Sequence, residues 1–169
     1  CYDDPQFVPQ IEPERGDDSM FAAVQWKRAE TQYTGPFIGT KFAPAEVQMG
    51  VLDDSYLVSS MISLAKNPAN VQDMFQQPIQ IQKSIFQVNF KNCGQKLVSI
   101  VDSKLPFQES RSKFVSPRNP GSSAWWYSIV EKAFAKASGG FSNIQGGFCH
   151  QSLSMLVDGI PKAIDLQSD

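Results

Sequence analysis

The spacing of apolar residues changes twice along this chain, and the two changes limit the folds that it can adopt. Over residues 55–65 apolar side chains recur every three or four positions, which predicts a helix. Over residues 86–90 and 97–101 they alternate with polar side chains, which is typical of two paired strands. Helical spacing returns over residues 122–137. We therefore predict an α+β fold in which helices flank a small antiparallel sheet.

Weaker signals indicate three shorter elements. Pro68 follows Asn67 and predicts a second short helix that ends near Phe75. A short strand is expected over residues 79–81, and a last helix is expected over residues 151–157.

The first 45 residues have a different character, because five prolines break any helical period there. Aromatic side chains are also frequent in this stretch, which argues against a disordered segment. We expect residues 1–45 to form an extended N-terminal arm that packs on a single domain of residues 46–166.

Composition narrows the class of protein. Apolar residues make up 41% of the 169-residue chain and charged residues 19%, as in a globular domain with its own core. The net charge of −2, without long runs of one sign, argues against a nucleic-acid partner. No apolar run approaches the ~18 residues of a membrane span. The three cysteines are far apart, which favours a reduced, intracellular setting over a disulfide framework.

The start of the first long predicted helix combines several signals of catalysis. Residues 49–56 lead from a glycine and two aspartates directly into the apolar helix. A nucleophile on the first turn of a helix benefits from the positive end of the helix dipole, and unpaired N–H groups there can stabilise an oxyanion. A cysteine at such a position has a lowered thiol pKa. This segment is therefore the strongest candidate for chemistry.

Four motifs and two glycine-bearing stretches, in order along the chain, resemble those of the calpain family of papain-like cysteine peptidases. They are Trp26-Lys27-Arg28, Gly50-Val51-Leu52-Asp53-Asp54-Ser55-Tyr56-Leu57, Val101-Asp102-Ser103-Lys104-Leu105-Pro106, the helix of residues 125–136, and the glycine-bearing stretches at Gly146-Gly147 and Asp158-Gly159-Ile160. The resemblance covers almost the whole chain. It implies the first, cysteine-bearing lobe of a papain-like protease core, which is a helix bundle with a small antiparallel sheet.

Four positions of the calpain signature differ here: Tyr56 and Asp53 replace a tryptophan and a glycine, and the other two bear on catalysis. The resemblance aligns the family's catalytic cysteine with Ser55, and the glutamine that donates to its oxyanion hole with Met49. Gln48 is one residue too early for that role unless the chain shifts locally. A serine hydroxyl needs a base that acts during attack, whereas a thiolate is already charged. Methionine donates no hydrogen bond, and loss of one oxyanion donor lowers the rate on the order of 10²–10³-fold. The resemblance therefore implies a degenerate active site and a pseudopeptidase.

The general base is a third departure. In papain-like enzymes the catalytic histidine and asparagine follow the cysteine by about 130–150 residues, and fewer residues than that follow Ser55 here. The single histidine, His150, comes too early and belongs to the first-lobe motifs. We expect the histidine-bearing second lobe to be missing from this chain.

Three interpretations of Ser55 stay open on sequence alone. It is a working nucleophile, an engineered replacement of a cysteine, or a helix-capping serine in a lobe that has lost catalysis. An engineered Cys-to-Ser change leaves Met49 and Tyr56 unexplained, since the family has glutamine and tryptophan there. Natural loss of catalysis accounts for all three positions, and it is the interpretation that we favour.

The resemblance also implies a calcium site. Calpains bind calcium in this lobe through two carboxylates and loop carbonyls, and the matching positions are Glu46 and Glu131 with the carbonyls of Gly39 and Lys41. Calcium prefers several oxygen ligands of this kind. The alternative is that both glutamates are surface charges, with Glu131 paired to a neighbouring lysine.

The residues and the resemblance together predict a catalytically inactive calpain-like lobe that acts as a protein-binding or architectural module. The expected location is the cytoplasm, in association with the cytoskeleton or a flagellum, and the expected partners are other proteins or the missing second lobe. Trp125, Trp126 and Tyr127 are a candidate patch for such a partner, with at least one ring expected to be partly exposed, whereas core packing is the expected role of most of their surface. The alternative function is the first lobe of an active calcium-dependent cysteine endopeptidase, present as a Cys-to-Ser variant without its second lobe.

Overall fold

The computed structural model describes residues 1–7, 24–33, 35–39, 41–50, 52–92, 94–108, 113–114 and 124–160. Within these ranges there are five α-helices and five β-strands. None of the helices in the described ranges has the length and apolar character needed to span a bilayer. The mixture of helices with small antiparallel sheets confirms the predicted α+β class.

The helices lie close to the positions that the apolar spacing predicts. They are α1 (Ala29–Gln32), α2 (Ser55–Leu64), α3 (Pro68–Met74), α4 (Trp126–Ala137) and α5 (Cys149–Val157). The Asn67 side chain accepts a hydrogen bond from the Ala69 N–H, so that α3 begins with an asparagine cap before Pro68. The last helix begins two residues earlier than the sequence indicates, and α4 begins at Trp126 rather than near Ser122, which lies outside the described residues.

The two strands predicted from alternating apolar residues form an antiparallel ribbon. β2 (Phe86–Asn92) pairs with β3 (Gln95–Val101) in a continuous register. The inward side chains of β2 are fully buried, and the ring of Phe90 lies 5.7 Å from that of Phe134 in α4. The apolar face of the ribbon therefore covers α4.

A second sheet has no counterpart in the sequence prediction. β1 (Val24–Arg28) pairs antiparallel with β4 (Lys104–Gln108), and β4 pairs with the two-residue strand β5 (Lys113–Phe114). β1 alternates apolar and polar side chains over only four residues, Val24 to Lys27, which is too short a pattern to identify a strand from sequence. The sheet joins β1, which precedes α1, to β4, which follows the ribbon.

The prediction of a short strand at residues 79–81 is wrong. A one-turn 3₁₀ helix, Ile81–Lys83, lies there, and an isolated bridge joins Gln80 to Ile85. Ser84 ends this turn with a φ of 54°, and its buried hydroxyl donates a hydrogen bond to Glu30. The chain therefore reverses direction where the apolar pattern indicates a straight segment.

The aromatic residues at the start of α4 are inside the core, and the prediction that one of them is partly exposed is wrong. Trp125, Trp126 and Tyr127 are 3%, 0% and 2% exposed. The ring of Phe37 lies 4.8 Å from that of Trp125, and the ring of Phe42 lies 5.3 Å from that of Trp126. Loops that precede α2 therefore cover sides of α4 that helical spacing alone would leave exposed.

Candidate functional site at the start of helix α2

The helix start at residues 53–56 is well ordered around Ser55. This serine is the first residue of α2, and it is exposed. The Asp54 carbonyl accepts hydrogen bonds from the N–H groups of Leu57 at 2.8 Å and Val58 at 3.1 Å, which closes the first turn. The positive end of the helix dipole therefore lies at Ser55.

A glycine loop holds the residues on either side of Ser55. The N–H of Gly146 donates a hydrogen bond to the Asp53 carbonyl over 2.7 Å. Gly147 packs so closely on the Tyr56 ring that a Cβ atom at this position would lie 2.7 Å from the ring's Cζ. The loop before α5 therefore forms a wall beside the helix start, and the absence of a side chain at Gly147 allows the contact.

The phenol of Tyr56 is not available as a base at neutral pH. Burial, followed by the neighbouring Asp54 carboxylate, raises the pKa of Tyr56 to about 12. A general base must lose its proton near the working pH. Tyr56 is therefore a packing residue at this site.

The described residues supply Ser55 with no hydrogen-bonded base. In that part of the chain no hydrogen bond joins the Ser55 hydroxyl to another residue, and the Ser55 carbonyl accepts only from within α2, from the Ser59 hydroxyl at 2.7 Å. The single histidine, His150, lies in the first turn of α5 and stacks on Phe148 with ring centroids 5.5 Å apart. Serine attack on a carbonyl requires a base in contact with the hydroxyl.

Exposed apolar side chains occur on both segments that adjoin the helix start. Met49, at the position of the expected oxyanion donor, is 55% exposed, and its thioether cannot donate a hydrogen bond. Phe148, which follows the glycine loop, is 64% exposed. Contiguous exposed apolar area marks surfaces that contact other proteins, whereas single exposed apolar residues are common on any protein.

A cluster of acidic groups is buried behind Ser55. Asp54 and Glu131 are both 0% exposed, and the Asp54 carboxyl faces Glu131 and Tyr127. Burial raises the pKa of Asp54 and raises the pKa of Tyr127 well above its ordinary value. The interpretation of Glu131 as a surface charge paired with a lysine is therefore wrong.

Glu46 is held by the start of α4. Its Oε2 atom accepts hydrogen bonds from Trp126 Nε1 over 2.6 Å and from the Ala43 N–H over 3.4 Å. The Oε1 atom lies against Gly39, in space that a Cβ atom there would fill. Glu46 is therefore a half-buried, hydrogen-bonded residue rather than a solvated loop charge.

The predicted calcium ligands fit a metal site only in part. Glu46 and Gly39 lie together, whereas Glu131 faces Asp54 in the buried cluster. The Lys41 carbonyl already accepts a backbone N–H over 2.8 Å. Across the described ranges, no three or more His, Cys, Asp and Glu side chains form a group that could hold a metal ion. A calcium ion at Glu46 would have to take most of its oxygen ligands from the backbone and from water.

Sequence reasoning missed two residues of this site. Phe148 carries no reliable signal, because Phe141 also directly follows a glycine pair and is fully buried. Tyr127 carries no such signal either, because its neighbour Asp54 precedes a different helix, far away in the sequence. Contacts of that kind depend on how α2 and α4 pack.

Known proteins similar to this chain form one group. The family model described as calpain family cysteine protease matches residues 2–169. Calpain-13 of Rattus norvegicus is 31% identical over 149 residues, which cover 86% of this chain and 22% of that protein. The calpain-2 catalytic subunit of Bos taurus is 26% identical over 153 residues (88% and 22%), and human calpain-14 is 24% identical over 151 residues (85% and 21%). The chain spans about a fifth of the length of these relatives.

Proposed function

Because this chain belongs to the calpain family of cysteine proteases, we propose that it is a protease-core lobe without peptidase activity, which binds other proteins around the start of α2. The observation that carries the proposal is Ser55, which lies at the nucleophile position with no hydrogen-bonded base among the described residues. A hydroxyl in this setting keeps its proton and is a poor nucleophile.

The oxyanion side of the site supports the same proposal. Met49 lies at the position where the family resemblance expects a side-chain amide donor, and its exposed thioether cannot donate. Loss of one such donor alone lowers the rate on the order of 10²–10³-fold. The nucleophile and one oxyanion donor, which would act in the same reaction, are therefore both changed.

The retained parts of the site suit binding. The glycine loop is joined to the helix start by the Gly146–Asp53 hydrogen bond, which holds the wall beside α2. Phe148 and Met49 add exposed apolar area on the segments at either side. Walls with exposed aromatic and methionine side chains are common features of protein-binding surfaces.

A cleavage assay tests the absence of activity. The purified chain and its Ser55→Ala, Ser55→Cys and Met49→Gln/Ser55→Cys variants are incubated with β-casein, with papain as the positive control. We expect no cleavage by any of the four proteins. Cleavage by the unmodified chain that disappears in Ser55→Ala would contradict the proposal.

A binding assay tests the proposed surface. Fluorescence anisotropy with labelled β-casein, an unstructured protein, measures the affinity of the chain and of a Met49→Ala/Phe148→Ala variant. We expect the variant to bind about tenfold more weakly, because exposed apolar anchors dominate such contacts. Val98→Ala/Ile100→Ala is the matched control, since it removes exposed apolar side chains from β3 instead. Equal loss in both double variants would show that the surface around α2 has no special role.

The alternative function is the first lobe of an active calcium-dependent cysteine endopeptidase, in which Ser55 replaces a cysteine. The close contact between Tyr56 and Gly147 supports this alternative, because it holds the glycine loop against the start of α2 beside position 55. Mixing the Ser55→Cys variant with the separately purified second lobe of a calpain-2 catalytic subunit, in calcium, distinguishes the two functions. Cleavage of casein by the mixture supports the alternative, and its absence supports the inactive lobe.

Calcium binding by Glu46 stays a prediction, and the structure provides a spectroscopic reporter for it. The Trp126 indole donates to the Glu46 carboxylate, so that a cation at Glu46 would change the fluorescence of this tryptophan. We expect heat on calorimetric titration with calcium, a matching change in emission, and loss of both in Glu46→Gln. Asp73→Asn, an exposed acid on α3, is the control. No heat and no gain in melting temperature would end the calcium hypothesis.

The proposed place of action is the cytoplasm, on a cytoskeletal or flagellar structure. The proposal rests on the family resemblance and on the low charge density, which suits protein partners. Microscopy of a tagged protein, followed by detergent extraction, tests it. Retention of the tag on the extracted cytoskeleton supports the architectural role, and complete release with the detergent-soluble fraction contradicts it.

A further inference from the structure

The first seven residues pack against a cluster of cationic side chains and one carboxylate. We call residues 1–7 the N-terminal segment. We call its receptor the basic slot: Arg28, Lys104 and Lys136 pair with acids of the segment, and Asp102, which is paired with the buried Lys132, accepts a backbone N–H from it. The segment brings two adjacent acids, Asp3 and Asp4, to this slot. Charge on the two sides is therefore complementary.

Both acidic side chains of the segment are paired. Asp3 lies 2.6 Å from the Arg28 guanidinium and 2.8 Å from the Lys104 ammonium. The Asp4 side chain is fully buried and lies 2.6 Å from the Lys136 ammonium. The slot therefore distinguishes the two positions, with one acid at its rim and one inside.

The backbone of the segment is recognised as well. The Asp4 N–H donates to Asp102 Oδ2 over 2.8 Å, and the other oxygen of Asp102 accepts from the Lys132 ammonium at 2.5 Å. Lys132 thus orients Asp102 toward the segment. The Tyr2 N–H donates to the Lys83 carbonyl over 2.9 Å, and the Tyr2 carbonyl accepts from Arg28 over 3.3 Å.

An aromatic contact completes the docking. Asp4 Oδ1 accepts hydrogen bonds from the N–H groups of Gln6 at 3.0 Å and Phe7 at 3.3 Å, which folds the segment into a turn. The turn brings the Phe7 ring to 5.8 Å from the buried ring of Phe141. The pattern that the slot contacts is therefore two adjacent aspartates with an aromatic residue three positions after the second.

We propose that the basic slot is a recognition site for acidic peptides of this pattern, that residues 1–7 occupy it as its ligand in cis, and that the same pattern on another chain can replace them. The proposal does not depend on the function of the surface around α2.

The kind of contact explains why the segment can exchange. Asp3 is 62% exposed and Lys104 is 37% exposed, and exposed ion pairs add little stability and are screened by salt. The buried Asp4 supplies selectivity, because a peptide without it leaves the half-buried Lys136 without its carboxylate. The outer ion pairs of the segment are therefore weak, and Asp4 supplies the selectivity of its contact with the slot.

A peptide-binding experiment tests the proposal on the whole chain. The probe is an acetylated peptide with the sequence of residues 1–7 and a dye at its carboxyl end, and the control peptide has asparagine at both aspartate positions. We expect an Asp3→Asn/Asp4→Asn variant of the chain to bind the acidic probe at least about tenfold more tightly than the unmodified chain, whose tethered segment competes at high effective concentration. The control peptide should bind neither protein.

Substitutions in the slot make the test specific. Adding Lys136→Met to the Asp3→Asn/Asp4→Asn variant should abolish binding of the probe. Adding Lys66→Met, which removes an exposed lysine beyond the end of α2, should leave binding unchanged. Equal binding of the probe to the unmodified chain and the variant, or equal binding of the two peptides, would overturn the proposal.

Hydrogen exchange on the unmodified chain gives a second test that requires no variant to fold. The Asp4 amide should exchange faster than the amides of β2, and added salt should accelerate its exchange further, because the segment opens without global unfolding. If the Asp4 amide exchanges only as slowly as β2, the segment is a fixed part of the fold and the proposal is overturned.

Discussion

The N–H group of Gly146 lies 2.7 Å from the carbonyl oxygen of Asp53, to which it donates a hydrogen bond. This bond joins the loop before α5 to the residues that lead into α2. The packing of Gly147 on the Tyr56 ring lies next to it and strengthens the connection. The position of the glycine loop therefore depends on the sizes of the side chains at positions 56 and 147.

We expect Gly147→Ala to destabilise the protein by about 1–3 kcal/mol, because the new methyl group forces the Tyr56 ring to move. The added Cβ would lie 2.7 Å from Tyr56 Cζ, whereas at Gly159 the nearest atom is 4.0 Å away. Gly159→Ala is therefore the matched control, and chemical denaturation measures both variants. Equal effects of the two substitutions would contradict the close contact seen at Gly147.

The buried pair of Lys132 and Asp102 predicts a larger loss of stability when one partner is replaced. Their side chains are 1% and 5% exposed, and burial lowers the pKa of Lys132 while Asp102 opposes that shift. We expect Asp102→Asn to reduce the free energy of unfolding by about 3–5 kcal/mol, because an ammonium is left buried without its counter-ion. Denaturant titration measures the loss.

Two controls separate this ion pair from a general effect of charge. Asp73→Asn removes an exposed acid from α3 and should change stability by less than about 0.5 kcal/mol. Asp102→Leu/Lys132→Met removes both charges and should recover most of the stability. If the double variant is less stable than Asp102→Asn, the prediction fails.

The raised pKa of Tyr56 predicts how stability responds to alkaline pH. The folded protein holds the phenolic proton up to a pKa of about 12, whereas the unfolded chain loses it at the ordinary value of 10.0. The unfolded state therefore binds fewer protons in this interval, and stability falls as the pH rises through it. Below the ordinary value both states are protonated, and Tyr56 causes no pH dependence.

Tyr56→Phe tests this prediction, because phenylalanine keeps the ring but has no proton to lose. We expect the variant to show a smaller loss of unfolding free energy between the two pKa values than the unmodified chain. Absorbance titration of tyrosinate should also lose one component near pH 12. Identical alkaline profiles for the two proteins would show that Tyr56 ionises normally.

Phe37 provides a test of the core around α4. Its ring is 3% exposed and packs on three aromatic rings, and its carbonyl accepts the N–H groups of Trp125 and Trp126. We expect Phe37→Ala to cost about 3–5 kcal/mol through the cavity that it leaves. Thermal unfolding measures the loss. Phe148→Ala, at a residue that is 64% exposed, should have little effect in that experiment. Similar losses for the two variants would contradict the placement of Phe37 in the core.

Local sequence patterns were sufficient for the elements whose stability is local. The stripe of apolar residues in α2 and the Asn67-Pro68 start of α3 both specify helices through neighbours within one or two turns. The ribbon can also be predicted from sequence, because β2 and β3 are joined by a short turn. In each case the evidence lies within a few residues.

The rest of the fold depends on contacts between distant segments. β1 becomes a strand because β4 lies beside it, and its own alternation, with two apolar residues in five, is too short to predict one. Glu131 and Lys132 resemble the polar face of a surface helix, yet both are buried because Asp54 and Asp102 meet them from other parts of the chain. Periodicity reports the chemistry of one segment and contains no information on which charged group approaches it.

The difference between local patterns and distant contacts also explains why the wall of the candidate site could be recognised from sequence and its interior could not. The glycine pair and the helix start are visible as motifs at Gly146 and Ser55. The cluster of Asp54, Tyr127 and Glu131 forms only when α4 packs behind α2.

Helix α4 is buried at every position from Trp126 to Ala135, whereas Ser55 is exposed. A replacement in α4 requires a compensating one in a neighbouring element, because the charged groups and rings of this helix contact several other elements. A replacement of the Ser55 hydroxyl disturbs no packing at all. Position 55 is thus separate from the residues that form the core, and a substitution there would leave the architecture of the lobe intact.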